Sequence, residues 1–101
     1  MRKNFKALSE VIKGKYSKNS PFMQQVRAAM VLERVKEFLA KEFGESALGR
    51  VRPMYVRDKT INIASLSSVL AQEIRYREQK LIESINKEFG RGTVERIRFI
   101  Q

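Results

Sequence analysis

Cationic side chains gather around short extended segments late in the chain: Arg50, Arg52, Arg57, Lys59, Arg96 and Arg98. In TVERIRFIQ, Ile97 and Phe99 alternate with Arg96 and Arg98. In a strand that spacing sends the apolar pair to one face and the arginines to the other. Such a row of guanidinium groups suits phosphates, whose contacts carry affinity without sequence information. A second reading is that the arginines keep a bare sheet face soluble and guard strand edges from pairing. Both readings ask the same of the fold: a sheet face that helices leave uncovered.

Catalysis finds little support. The chain has neither cysteine nor histidine, which excludes a disulfide framework, a Cys/His zinc site and nucleophilic catalysis by either residue. Glu73, Glu78 and Glu83 stand at helical spacings beside Arg75, Arg77, Lys80 and Lys87. Mixed charges of this kind form a solvated, paired helix face worth tenths of a kcal/mol per pair. Glu78 falls inside an apolar stripe, either as a buried carboxylate or as an edge residue beside Arg75 or Arg77. Gly90-Arg91-Gly92 lacks the Lys-Ser/Thr of a nucleotide-binding loop and reads as a cap and turn. Tyr55 and Tyr76 can stack on bases or serve as packing residues. The expectation is a protein that is not an enzyme, with no metal and no cofactor.

Charge points to a polyanion. The 101 residues carry a net charge of +10 and a pI near 10.3. Residues 1–27 hold seven basic residues, Lys13 and Lys15 among them, against Glu10 alone. This basic N-terminal quarter reads as an auxiliary arm for the same partner. No apolar run is long enough for a signal peptide or a membrane span, so a cytoplasmic protein without membrane contact is expected.

The elements that must position the arginines follow from periodicity. Residues 5–13 suit a short helix, which Gly14 and the polar run KYSKN end. Ser20 and Pro21 make a helix start, and nothing forbids a helix until Gly44. The apolar stripe of this helix changes phase. Phe22, Val26, Ala29 and Met30 share one face, while Ala28, Leu32, Val35, Leu39 and Phe43 share another. The spacing predicts one long helix whose second half packs on a sheet. Its first half (Phe22, Met23, Val26, Met30) would meet the N-terminal helix, a docking partner or a second subunit in a homodimer. Pro53 cannot donate to a ladder, so its strand is an edge or carries a bulge. Parity slips there, which predicts a bulge at Arg52-Pro53 with Met54 and Val56 pointing inward. Asp58-Lys59 is the two-residue turn of a hairpin whose second strand is TINIASL. Ser67 or Ser68 caps a helix running to Gly90, with Leu70, Ile74, Leu81 and Ile85 on its apolar side. The fold class is α+β in the order α-α-β-β-α-β, with helices on one face of a small three-stranded sheet. Residues 1–101 form a single domain, made of a basic helix and loop over 1–19 and a core over 20–101.

The run RPMYVRDKTINIASLSSVLAQEI, followed by LIESINKEFG and VERIRF, resembles the DciA family of bacterial replicative-helicase loaders. The matching positions are Pro53, Asp58, Ser67-Ser68, Ala71-Gln72-Glu73-Ile74, Ile85-Asn86, Gly90 and Ile97-Arg98-Phe99, and the likeness covers roughly residues 28–100. The resemblance implies a fold related to type II KH domains and a cytoplasmic, nucleoid-associated protein. It further implies binding to the replicative DNA helicase and help in placing it on single-stranded DNA, without ATP of its own. The family's two tryptophans are replaced here by Val35 and Leu70. The GxxG loop of typical KH domains is absent, which disfavours base-specific readout by that route. A KH-like RNA- or ribosome-binding module fits the charge as well. A protein–protein adaptor that holds no nucleic acid fits the apolar face at Phe22.

Overall fold

The computed structural model describes residues 20–100. The helix expected over residues 5–13, with Lys13 and Lys15, lies outside them. Helix α1 spans Pro21–Phe43 without a break. It starts as the sequence dictates: Ser20 Oγ accepts from the Met23 amide at 3.1 Å, and Pro21 occupies the first turn, where its missing amide costs nothing. It stops at Gly44, whose φ of 91° is open to glycine and strained for other residues. A 3-10 turn, Glu45–Gly49, leads into the sheet.

Strands β1 (Val51–Arg57) and β2 (Thr60–Ser65) form an antiparallel hairpin, and β3 (Arg96–Ile100) lies parallel to β2 on its other side. The turn between β1 and β2 places Asp58 and Lys59 at φ 51° and 61°, the left-handed pair of a type I′ hairpin. A parallel neighbour needs a long crossover, supplied by α2 (Ser68–Tyr76) and α3 (Glu78–Phe89). The described order α-β-β-α-α-β is that of an α+β domain and is compatible with the type II KH relation.

The core lies between the helices and one face of the sheet. Val31, Val35 and Leu39 of α1 meet Val51 of β1, Ile61 and Ile63 of β2 and Ile97 of β3. Ile74, Leu81, Ile85 and Phe89 close it from α2 and α3. Val35 is fully buried in this core and Leu70 packs at its margin. Polar links fix the helices to each other: Arg34 bridges to Glu88 at 3.0 Å and to Ser84 at 2.9 Å. The Asn86 amide exchanges two hydrogen bonds of 3.0 Å with the Val94 backbone, which holds the turn that brings the chain back to β3.

The expected single helix over 68–89 is two. It breaks at Arg77, which has φ −103° and ψ 14°, and whose amide donates to Ile74 O at 2.9 Å. No glycine or proline marks the spot. The cause is tertiary: Glu78 Oε2 accepts from the Ile97 amide at 2.9 Å, and Arg75 Nη1 donates to the Ile97 carbonyl at 3.3 Å. Both backbone groups that Ile97 turns toward the free edge of β3 are thereby satisfied, which blocks pairing at that position. Glu78 is an edge residue 3.6 Å from Arg75.

Glu42, near the end of α1, receives Lys80 at 3.1 Å and Arg77 at 3.3 Å. The Lys80 hydrogen bond is the main cause that holds its carboxyl below the ordinary value of 4.5, and partial burial opposes it. A lowered folded-state pKa contributes stability above the unfolded pKa, and this is lost as pH falls through the folded value. Glu42→Gln should therefore melt below the unsubstituted chain at neutral pH, and the gap should narrow below pH 4.5. Thermal melts across that window check it; a gap that persists in acid contradicts the assignment.

Candidate nucleic-acid interface

The parity slip in β1 creates the site. Register runs Arg52↔Ala64 and Pro53↔Ile63, then Tyr55↔Asn62, Val56↔Ile61 and Arg57↔Thr60, so the extra residue is Met54. Met54 is 46% exposed rather than inward, and Pro53 takes the inward position before it. The bulge thus falls one residue later than the sequence predicts. Pro53 can still be packed by its ring, and Met54 absorbs the irregularity. Val56 packs against the core as expected. Beyond the bulge Tyr55 and Arg57 are re-aimed to the same side as Arg52, away from the helices.

Register then lays out that face in rows. Arg57, Thr60 and Arg96 form one; Tyr55, Asn62 and Arg98 the next; Arg52, Ala64 and Ile100 the last. Arg52, Arg57, Lys59, Arg96 and Arg98 are all exposed. From Arg57 to Arg52 the cations span roughly 15 Å of strand. Arg50 stands at the far end, where its carbonyl accepts from the Leu66 amide at 2.7 Å. There it borders a hollow of about 250 Å³ lined with Leu48, Met54, Ala64 and Leu66.

Charge on this face is only lightly countered. Glu95 lies 3.5 Å from Arg96 and 3.8 Å from Lys59, with both pairs well exposed. Exposed pairs contribute about 0–1 kcal/mol and exchange readily for another anion. Arg50, Arg52, Arg57 and Arg98 have no acidic side chain within ion-pair distance among the described residues. Arg57 instead lies 6.0 Å from the centre of the Tyr55 ring.

The arginines that sequence reasoning grouped do share one sheet face, but it missed two neighbours. Arg75 was expected on a solvated helix face; it reaches the groove beside Arg96 and Arg98 and stacks 5.2 Å over the Phe99 ring. Thr60 was passed over, though its hydroxyl lies 3.4 Å from Arg96 Nη1. The pairing of Arg75 with Glu78 three residues on was the signal available for the first; no sequence signal marked the second. Tyr76 is 77% exposed on α2, away from these rows. On the apolar side of α1, Phe22 is 44% exposed, Met23 is 5% exposed, and Val26 and Met30 are half-buried.

The turn itself carries backbone strain, since neither of its left-handed residues is glycine. A left-handed residue costs roughly 1–2 kcal/mol, and glycine at the same place returns about 0.5–1 kcal/mol less through backbone entropy. Lys59→Gly should therefore raise stability by roughly 0.5–1 kcal/mol. Thermal melts of the two chains check it; a variant that melts no higher than the unsubstituted chain contradicts the assignment.

A small mixed sheet roofed by helices on one side, with a cationic face on the other, defines an α+β domain; among the described residues no group of three or more His, Cys, Asp or Glu could hold a metal ion. The family model described as "Dna[CI] antecedent, DciA" matches residues 7–99, nearly the whole chain. The chain belongs to the DciA family, and membership implies a helicase-loader type of role in replication, in the cytoplasm. A search of curated proteins found no match. No described helix is long and apolar enough to cross a membrane.

Proposed function

We propose that the chain binds the replicative DNA helicase and single-stranded DNA together and helps place the one on the other, without catalysing a reaction. The supporting observation is the open sheet face, where Arg52, Arg57, Arg96 and Arg98 stand in cross-strand rows. DNA is held there through its phosphates, so binding is largely independent of sequence and weakens with salt. Lys13 and Lys15 serve as an auxiliary arm, and the protein works at the nucleoid.

The helicase contact is assigned to the other side of the molecule, on the N-terminal half of α1. Phe22 is exposed there with Val26 beside it, whereas Met23 is buried and Met30 packs against the core, so Phe22 leads the docking group. A titration against purified replicative helicase, with single-stranded DNA added and omitted, tests the reading. Binding in both conditions, weakened by Phe22→Ala, supports it. Binding that vanishes on nuclease treatment reduces the partnership to DNA alone, and no binding in either condition overturns it. Preference for RNA over DNA of the same length would favour the RNA-binding alternative.

A further inference from the structure

The middle row of the open face holds more than charge. Tyr55 exposes 43% of its surface beside Asn62, which is 4% exposed although it faces away from the core. Asn62 Nδ2 donates to the Thr60 carbonyl at 3.2 Å, which fixes the amide; its Oδ1 accepts nothing from the described residues. Both line a shallow groove of about 470 Å³ with Thr60, Arg75, Arg96 and Arg98. That size lies in the usual range for a small bound group, about 300–1,000 Å³.

An arginine row alone would take any polyanion, but the ring and the amide add what a phosphate cannot use. An aromatic face stacks with a flat ring, and a carbonyl oxygen repels an anion while accepting from an N–H. A nucleobase offers both a π-face and N–H donors on its pairing edge. The Arg57 guanidinium, 6.0 Å from the Tyr55 ring centre, is at the outer limit of a cation–π contact and does not close tightly on the ring.

We propose that Tyr55, Asn62 and the flanking arginines form a subsite for one unpaired nucleobase. The base stacks on Tyr55, an N–H of its pairing edge donates to Asn62 Oδ1, and adjoining phosphates rest on Arg96 and Arg98. The subsite rests on the reading that this face binds single-stranded DNA, and it supplies a reason for preferring single strands. A base inside a duplex is stacked on its neighbours and its pairing edge is occupied, so it cannot enter the groove.

The test compares a short oligothymidylate with a strand of the same length and charge whose residues are abasic, by fluorescence anisotropy at one salt concentration. The chain should bind the thymidylate about tenfold more tightly than the abasic strand, the size of one stacked base. Tyr55→Ala should bind both at the abasic level, Tyr55→Phe should keep the difference, and an Arg96→Ala/Arg98→Ala variant should lose affinity for both. Because the chain has no tryptophan, Tyr55→Trp adds a single reporter whose emission thymidylate should quench and the abasic strand should not. Equal affinity of the unsubstituted chain for the two strands overturns the base subsite and leaves phosphate binding intact. A preference that survives Tyr55→Ala also overturns it. Failure to bind either strand overturns both the subsite and the reading beneath it.

Discussion

Replacing Arg96 and Arg98 together with alanine should cost the chain roughly 20- to 30-fold in affinity for single-stranded DNA at about 0.1 M salt. Each phosphate neutralised on a single strand contributes a slope of about −0.7 in log affinity against log salt, so losing two contacts should flatten the slope by about 1.4. At the quoted salt the same change is the stated loss. The two arginines head adjacent rows on β3, and neither is built into the core, since both are exposed. Arg96 has the hydroxyl of Thr60 and the carboxylate of Glu95 within reach, and both remain after substitution. The fold should therefore persist, with a melting temperature close to that of the parent. Salt titrations of parent and double variant decide the matter. Unchanged affinity and slope would take β3 out of the interface.

Ile63→Ala should act the opposite way, on stability and not on binding. Ile63 is fully buried in the central strand, facing the helices between Pro53 of β1 and Phe99 of β3. Truncating such a side chain loses its transfer energy and leaves a cavity, about 2–5 kcal/mol in all. Domains of this size hold roughly 5–15 kcal/mol, so the loss is a large part of the total. It should lower the melting temperature by about 10–20 °C, since each kcal/mol moves a domain of about 100 residues by several degrees. The folded fraction should still bind DNA with its parent affinity, because the arginines lie on the far face. Asn62 next to it gives the contrast: one step along the strand reverses the direction of the side chain. Denaturant melts with binding measured below the transition separate the two effects. A drop in affinity matching the drop in stability would mean that the two faces are not independent.

What the sequence made legible was whatever depends on local rules. Ser20, Pro21, Ser67 and Gly90 mark helix ends by their own chemistry, and each does so in the structure. The alternation of Ile97 and Phe99 with Arg96 and Arg98 placed the arginines on the open face, because a strand has only two faces. Asp58-Lys59 was readable as a hairpin even without glycine, since the strands on either side leave room for two residues. The break at Arg77 was not readable. Local propensity runs straight through Tyr76-Arg77-Glu78, and what interrupts it is the Ile97 amide, 19 residues away, reached by the Glu78 carboxylate. The bulge was seen as a slip in parity but placed one residue early. Parity says that an extra residue exists; which residue bears it depends on how Pro53 and Met54 pack. Met23 shows the same limit: the sequence grouped it with Phe22, Val26 and Met30, and only the structure shows that it is buried while Phe22 is exposed.

The most direct measurement is a map of amide shifts in the 15N-labelled protein as a short single-stranded oligonucleotide is added. If the uncovered sheet is the DNA-binding surface, the amides of Arg52, Tyr55, Arg57, Asn62, Arg96 and Arg98 should move together and saturate, while Phe22 and the outer faces of α1 and α3 stay still. Shifts concentrated on α1 or α3 with these six unmoved would contradict the account at its centre.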